Sequence, residues 1–204
     1  MDTVPYDFID KVFTTLDEFA IKIIKSDRCH CQSSLWNEAV RRYNTKLNLF
    51  QLNLCPTEED KVKYRIREYR ELEDYDIEKR ICTFEEFSQM DHRYKRIVRL
   101  TIRPAEDDDD GYQSLGVEHL STLINCAAHF NFTDLLLDAH APSEAVTLKR
   151  ILEELTTAEP TANSIELHYS PDAVDLLKKL QKGVVTCLKL FGAWPANLKK
   201  PLMA

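Results

Sequence analysis

The residues best suited to metal chemistry in this sequence form a Cys-His-Cys triplet near its start. Cys29, His30 and Cys31 carry the thiolate and imidazole groups that zinc prefers as ligands. Zinc-binding cysteine pairs are usually separated by two residues, whereas one residue separates this pair, so the triplet supplies half a site at best. Cys55 and Cys82 stand alone in the sequence. We therefore predict free thiols and no bound metal.

Asp138 and His140 are the residues best placed for catalysis. They follow a predicted strand at 133–138, and the active sites of α/β proteins gather at the carboxyl ends of strands. An Asp–His pair can orient a general base, and His168 is a further candidate near the same edge. The sequence has no Gly-x-Ser-x-Gly nucleophile elbow, and both residues also suit a polar loop before Pro142. We predict a protein that is not an enzyme, and a small α/β enzyme remains an alternative.

Five consecutive acids at 106–110 are a third candidate, in this case for a hard cation. A calcium loop needs alternating oxygen ligands and a glutamate twelve residues after the first ligand, and the acidic run lacks that arrangement. We predict an exposed, solvated loop. Only 4 of the 204 residues are glycine, so a loop that wraps a nucleotide phosphate is not expected, and we predict no cofactor.

Composition and charge narrow the class of protein further. The 204 residues, 44% hydrophobic and 30% charged, are enough for one folded domain or slightly more. The net charge of −7 and the lack of a basic block argue against a nucleic-acid partner. No run of eighteen apolar residues is present and the acidic start does not resemble a signal peptide, so we expect no membrane association. We expect reduced cysteines and a cytoplasmic or nuclear location.

Hydrophobic periodicity predicts helices first and then a succession of strands and helices. Apolar residues spaced by three and four over 8–24 indicate one helix, and a second helix runs from about 33 to 43. The capping-box sequence at Thr83 predicts a short helix. The predicted strands are 46–54, 62–69, 97–102, 133–138, 164–169 and 184–191, and the further predicted helices are 117–130, 143–157 and 172–181.

These elements predict an α/β fold with two parts. Residues 1–45 form an N-terminal helical segment, and residues 46–204 form an irregular β/α repeat with a largely parallel sheet. Four leucines at corresponding strand positions, spaced by 36, 31 and 21 residues, favour a leucine-rich-repeat-like arrangement with sequential strands as neighbours. Those leucines are Leu100, Leu136, Leu167 and Leu188. A doubly wound sheet remains the alternative.

The N-terminal segment resembles the opening of an F-box. That motif begins with Leu-Pro or Val-Pro and places apolar residues at set steps after the proline, with a tryptophan in a later helix. The matching residues here are Val4, Pro5, Phe8, Ile9, Val12, Phe13, Leu16 and Trp36. The segment 187–195 is similar to the final strand of nematode F-box-associated proteins, as are the irregular β/α units before it.

The resemblance implies a substrate-recognition subunit of an SCF-type ubiquitin ligase. The eight F-box-like residues would bind the adaptor subunit of the ligase, and the repeat would bind an unidentified target protein. Such a protein performs no chemistry and acts by holding the target near the ligase. A stand-alone binding repeat, with the first helix as its cap, is the alternative without a ligase role.

Overall fold

The computed structural model describes residues 8, 11, 12, 38, 41 and 43 and the ranges 45–69, 78–104, 111–128, 132–138, 146–180 and 185–195. Eight strands in these residues form one mixed sheet. The strands are β1 (Asn48–Cys55), β2 (Lys61–Tyr69), β3 (Glu78–Cys82), β4 (Lys95–Ile102), β5 (Gln113–Gly116), β6 (Phe132–Leu137), β7 (Ala162–His168) and β8 (Cys187–Phe191).

Four α-helices accompany these strands in the described residues. They are α1 (Phe84–Gln89), α2 (Leu120–Ala128), α3 (Val146–Ala158) and α4 (Ala173–Leu180). Short 3₁₀ turns precede β4 and α2. None of the described helices has the length and the apolar character needed to cross a membrane.

The sheet has an antiparallel part and a parallel part that meet between β1 and β4. Its strand order is β3-β2-β1-β4-β6-β7-β8. The strand β5 pairs with the first four residues of β2, from Lys61 to Tyr64. Every pair from β1–β4 to β7–β8 is parallel, whereas β2 pairs antiparallel with β1, β3 and β5. The prediction of an α/β fold with a largely parallel sheet is confirmed, and β4, β6, β7 and β8 are neighbours in their order along the chain. The repeat predicted over 46–204 does not include β2, β3 and β5, which pair antiparallel.

The six strands predicted from the sequence are confirmed, each within three residues at its ends. Two strands were not predicted. No strand is predicted between residues 69 and 97, but Glu78–Cys82 forms the edge strand β3. Its sequence has little apolar alternation because an edge strand that pairs on one side needs few buried residues. The four-residue strand β5 was missed because it is too short to show a period.

The first strand shows why its alternation slips at Leu49 and Phe50. Both side chains are fully buried, so this part of β1 has no solvent face. The register with β4 shifts between Phe50 and Gln51, where Val98 is the extra residue. Because the extra residue lies in β4, the bulge belongs to β4, and the adjacent apolar residues of β1 reflect burial on both faces of the sheet.

The helices α1 to α4 pack on a single face of the sheet. Apolar positions of α2, α3 and α4 join one core cluster with alternate residues of the parallel strands. Phe87 of α1 reaches the same cluster and contacts Phe50 edge-on, with the ring centroids 5.1 Å apart. The helical residue Tyr43 is buried on the other face, where its hydroxyl accepts from Nε of Arg96, so the position of α1 to α4 does not decide against the doubly wound alternative.

Tyr64 joins three elements at the antiparallel end of the sheet. Its hydroxyl donates to Oε1 of Gln113 in β5 at 2.7 Å and accepts from the amide of Phe84 in α1 at 3.0 Å. Burial raises the pKa of this phenol above its ordinary value. The short strand β5 is thus stabilised by the Tyr64–Gln113 hydrogen bond as well as by its backbone pairing with β2.

Candidate functional site

The face of the sheet opposite the helices carries polar side chains in ordered rows, and we call it the polar face. Its first row crosses six strands in register and is half-exposed over most of its length. This row consists of Arg67, Gln51, Arg99, Asp134, Ser164 and Cys187. The second row consists of Arg65, Asn53, Thr101, Leu136, Glu166 and Lys189.

Two ion pairs between neighbouring strands mark the parallel part of the polar face. Arg99 donates from Nε and Nη2 to Oδ2 of Asp134, at 3.0 and 2.7 Å. Lys189 donates to Glu166 at 3.4 Å between β8 and β7. Exposed pairs of this kind contribute little to the free energy of unfolding. Their charges remain available for contacts with another molecule.

The antiparallel part of the second row is buried. Asn53 has no exposed surface, and Arg65, directly opposite it in β2, is 1% exposed. The guanidinium of Arg65 lies over the ring of Tyr112, with its central carbon 4.7 Å from the ring centroid. This part of the polar face is therefore an enclosed polar layer.

A directional chain of hydrogen bonds leads to Asn53. The hydroxyl of Tyr69 donates to Oε1 of Gln51 at 2.7 Å, and Nε2 of Gln51 donates to Oδ1 of Asn53 at 2.9 Å. The amide nitrogen of Asn53 is buried and has no acceptor among the described residues. The chain thus ends in a donor that lies within the buried layer.

Aromatic side chains gather where β7 and β8 end. The rings of His168 and Phe191 stack at 4.6 Å, and Tyr169 meets Trp194 edge-on at 5.4 Å. Phe191 and Tyr169 are both 39% exposed. A positive φ of 89° at Gly192 turns the chain there, so that Nε1 of Trp194 donates to the carbonyl of Phe191 at 2.9 Å. Exposed aromatic groups beside charged rows are typical of protein-binding surfaces.

The structure describes two of the eight residues predicted to bind an adaptor. Phe8 is helical and 53% exposed, and Val12 is helical and half-buried. The other predicted adaptor-binding residues lie outside the described residues, and they are Val4, Pro5, Ile9, Phe13, Leu16 and Trp36.

The candidate catalytic residues are described only in part. Asp138 follows β6, is half-buried, and donates its backbone amide to the carbonyl of Ile102 at 2.9 Å. His168 ends β7, and its ring contacts Phe191. His140 lies outside the described residues. Asp138 and His168 come directly after the paired residues Leu137 and Leu167, so both lie at the same end of the sheet.

The cysteines and the acidic run give no metal centre in the part of the chain that the structure describes. Cys55 and Cys82 are buried in β1 and β3. Among the described residues, no three His, Cys, Asp or Glu side chains lie close enough together to hold a metal ion. The triplet at 29–31 and the acidic run at 106–110 lie outside the described residues.

The polar face as a whole was not predicted from the sequence, although one signal was present. Basic residues alternate with apolar ones along β2, from Lys61 to Arg67, which shows that one face of this strand is cationic. Their neighbours in β1 and β4 are known only from the register, because pairing between distant strands leaves no local period. Compared with known proteins, this chain matches no family model, no curated protein and no solved structure.

Proposed function

We propose that this protein is a non-enzymatic interaction module whose polar face binds a target protein. The observation that supports this function is the one-sided arrangement of the parallel strands. Helices α2 to α4 cover one face of these strands, and the other face presents half-exposed paired charges beside exposed aromatic groups. A surface with aromatic residues at its end and polar groups around them suits recognition of another protein.

A leucine-rich-repeat-like organisation of the part from β4 to β8 belongs to the same proposal. The parallel strands β4, β6, β7 and β8 are joined by segments that each contain one α-helix. The four leucines expected at corresponding positions do not share one row, because Leu136 pairs with Thr101, and Leu167 pairs with Leu137 and Leu190. Leu100, Leu135 and Ile165 are register neighbours in the core. Stacked units of this kind have a broad surface whose usual role is binding.

The module is F-box-like and serves as the substrate-recognition subunit of an SCF-type ubiquitin ligase. Support for the adaptor-binding part comes from the F-box-like sequence and from Phe8, whose large apolar side chain is half in solvent. An exposed aromatic residue on a helix is a common anchor in helix-mediated recognition. The residues at 1–45 would therefore bind the adaptor, and the polar face would bind the target.

The experiment that tests the ligase function is co-purification with the SCF adaptor subunit. Wild-type protein is compared with Phe8→Ala, and Val146→Ala is the matched control because Val146 is 68% exposed on α3, outside the F-box-like segment. We expect Phe8→Ala to weaken the complex at least about tenfold, the effect of removing a central anchor. The control should bind as wild type does.

A Pro5→Ala/Phe13→Ala variant, with its helix content checked by circular dichroism, extends the same test to the rest of the motif. Failure of well-folded wild type to bind the adaptor would contradict the ligase function. The stand-alone binding repeat would then be the better explanation, because its support lies in the polar face and does not depend on the N-terminal motif.

A small α/β enzyme is the remaining alternative, and Asp138 and His168 are the described residues that favour it. Their positions at one end of the sheet are those at which α/β active sites are found. The contact between His168 and Phe191 supports the aromatic binding surface equally well. We therefore place the enzyme after both binding functions.

A further inference from the structure

The side-chain amide of Asn53 is buried in the sheet with its nitrogen lacking a hydrogen-bond acceptor among the described residues. Asn53 is fully buried in β1, and its Oδ1 is held by the donor of Gln51. Its Nδ2 has two hydrogens to donate and meets no acceptor among the described residues. A buried donor without an acceptor costs free energy unless something outside these residues accepts from it.

The surroundings of Asn53 are cationic. Arg65 lies directly opposite it in β2, and Arg67 and Arg99 lie in the next row on either side of Gln51. On the polar face, the described residues of β1, β2 and β4 carry several basic side chains and no acidic one. Asp134 of β6 is the nearest acid in register, and it is paired with Arg99.

Tyr112 adds a second observation at the same place. Its ring packs against the guanidinium of Arg65, and its buried hydroxyl also has no partner among the described residues. Arg65 therefore neighbours both Asn53 in β1 and the ring of Tyr112. All three side chains can donate hydrogen bonds, and an acceptor with several lone pairs would suit them together.

We propose that Asn53 and Arg65 form a binding site for one small oxyanion, a phosphoryl or carboxylate group. The oxyanion accepts a hydrogen bond from Nδ2 of Asn53 and lies near the positive charge of Arg65. Hydrogen bonds to charged oxygens are stronger than those between neutral groups, so the buried donor favours an anion over a neutral ligand. The half-buried residues Gln51 and Arg67 lie in the row that borders the buried one. The site rests on the polar face alone and does not depend on the ligase function.

The test uses the side-chain amide signal of Asn53 in a ¹⁵N–¹H correlation spectrum. The full chain is titrated with inorganic phosphate at constant pH, with chloride adjusted to hold the ionic strength. The signal is assigned by its absence in Asn53→Leu. We expect it to shift and saturate with a Kd of roughly 1 mM or tighter, and we expect phosphate to raise the melting temperature over the same concentration range. A parallel titration with acetate shows whether carboxylates bind as well.

Two matched variants separate a specific site from general electrostatics. Lys63→Met removes an exposed charge from the same face of β2 and leaves Asn53 in place. We expect phosphate to raise its melting temperature as it does for wild type, whereas Asn53→Leu should need at least about tenfold more phosphate for the same rise. An equal loss in both variants, or no saturable shift in wild type, would overturn the proposal.

Gln51→Leu is the control for stability, because it also removes the Gln51–Asn53 hydrogen bond but keeps the amide of Asn53. In phosphate-free chloride buffer, we expect Asn53→Leu to melt no lower than Gln51→Leu, since an apolar side chain replaces a donor without an acceptor. A clearly lower melting temperature for Asn53→Leu would mean that the amide is already satisfied by a water or by another part of the chain. That result would also overturn the proposal.

Discussion

Glu68 shows how much a single buried charge depends on its partner. It lies on the helix-facing side of β2 and is 1% exposed, and it accepts a 2.6 Å hydrogen bond from Nε of Arg80 in β3. This bond raises the pKa of Arg80 above its ordinary value. A carboxylate in a core is tolerated when a cation and hydrogen bonds replace the water it has lost. The pair therefore ties the edge strand β3 to the sheet.

Removal of Arg80 should destabilise the protein more than removal of an exposed arginine. We expect Arg80→Met to lower the free energy of unfolding by about 2 kcal/mol, because Glu68 stays buried and loses this partner. Arg150→Met is the control, since Arg150 pairs with Glu154 on the surface of α3 and should cost about 0.5 kcal/mol or less. Urea denaturation measures both variants. Equal losses would mean that the Glu68–Arg80 pair acts like a surface pair.

Lys95 gives a prediction for pH. Its ammonium donates to the carbonyl of Phe87 at 2.7 Å, near the end of α1, and lies 4.4 Å from the ring centroid of the same residue. Burial lowers the pKa of Lys95 below its ordinary value of 10.5. The unfolded chain therefore binds this proton more tightly than the folded chain does.

Since the unfolded state holds more protons just below pH 10.5, the free energy of unfolding contributed by Lys95 rises with pH in that window. It is lowest once pH falls below the folded pKa. We expect the stability of wild type relative to Lys95→Met to increase as the pH rises toward 10.5. Denaturation curves across this range measure the difference. A difference that falls as pH rises would show that the pKa is raised instead.

At the scale of elements, α1 illustrates how local sequence places a short helix. Thr83 accepts from the amide of Glu86 at 3.0 Å, and the carboxylate of Glu86 accepts from the amide of Thr83 at 2.9 Å. This reciprocal capping box was predicted from four residues and is confirmed. A six-residue helix has few hydrogen bonds of its own, so its cap is a large share of its local stability.

Loss of the cap should therefore be measurable. We expect Thr83→Ala to reduce the free energy of unfolding by about 1 kcal/mol, because the amide of Glu86 loses its acceptor. Ser88→Ala is the matched control near the other end of the helix, where the hydroxyl donates only to a carbonyl one turn back. Thermal denaturation distinguishes them. A control as destabilised as Thr83→Ala would show that the effect does not come from capping.

The whole molecule depends on β4, which joins the antiparallel and parallel parts of the sheet. Leu100 is fully buried and lies in register with Leu52 of β1 and Leu135 of β6. Core residues of both parts belong to one cluster, so the described sheet is expected to unfold as a unit. If β4 separated from β1 or from β6, apolar residues of both separated strands would be exposed to water.

A cavity at this junction should weaken both parts together. We expect Leu100→Ala to reduce the free energy of unfolding by about 2–5 kcal/mol, the usual cost of such a truncation in a core. The loss of circular dichroism and the change in Trp194 fluorescence beside β8 should have the same midpoint. Separate midpoints would show that the parallel part unfolds independently of the antiparallel part.

The strands and helices with strong periodicity could be predicted from the sequence, because burial of one face leaves a local pattern of apolar residues. The parallel order of β4, β6, β7 and β8 followed as well, since strands joined by helices are constrained to pair in this way. The capping box needed only residues within one turn. Each of these features depends on residues that are close together in the sequence.

The tertiary structure alone decided which polar residues meet. Asn53 and Arg65 are twelve positions apart, and Arg99 and Asp134 are thirty-five positions apart, so no local pattern could reveal either contact. The edge strand β3 is stabilised by its backbone pairing with β2 and by the ion pair between Arg80 and the buried Glu68. Its own residues show no apolar alternation that would predict a strand. The polar face has the same origin. Strand register depends on the packing of the whole sheet, and it brings together side chains whose local sequences show no sign of a site.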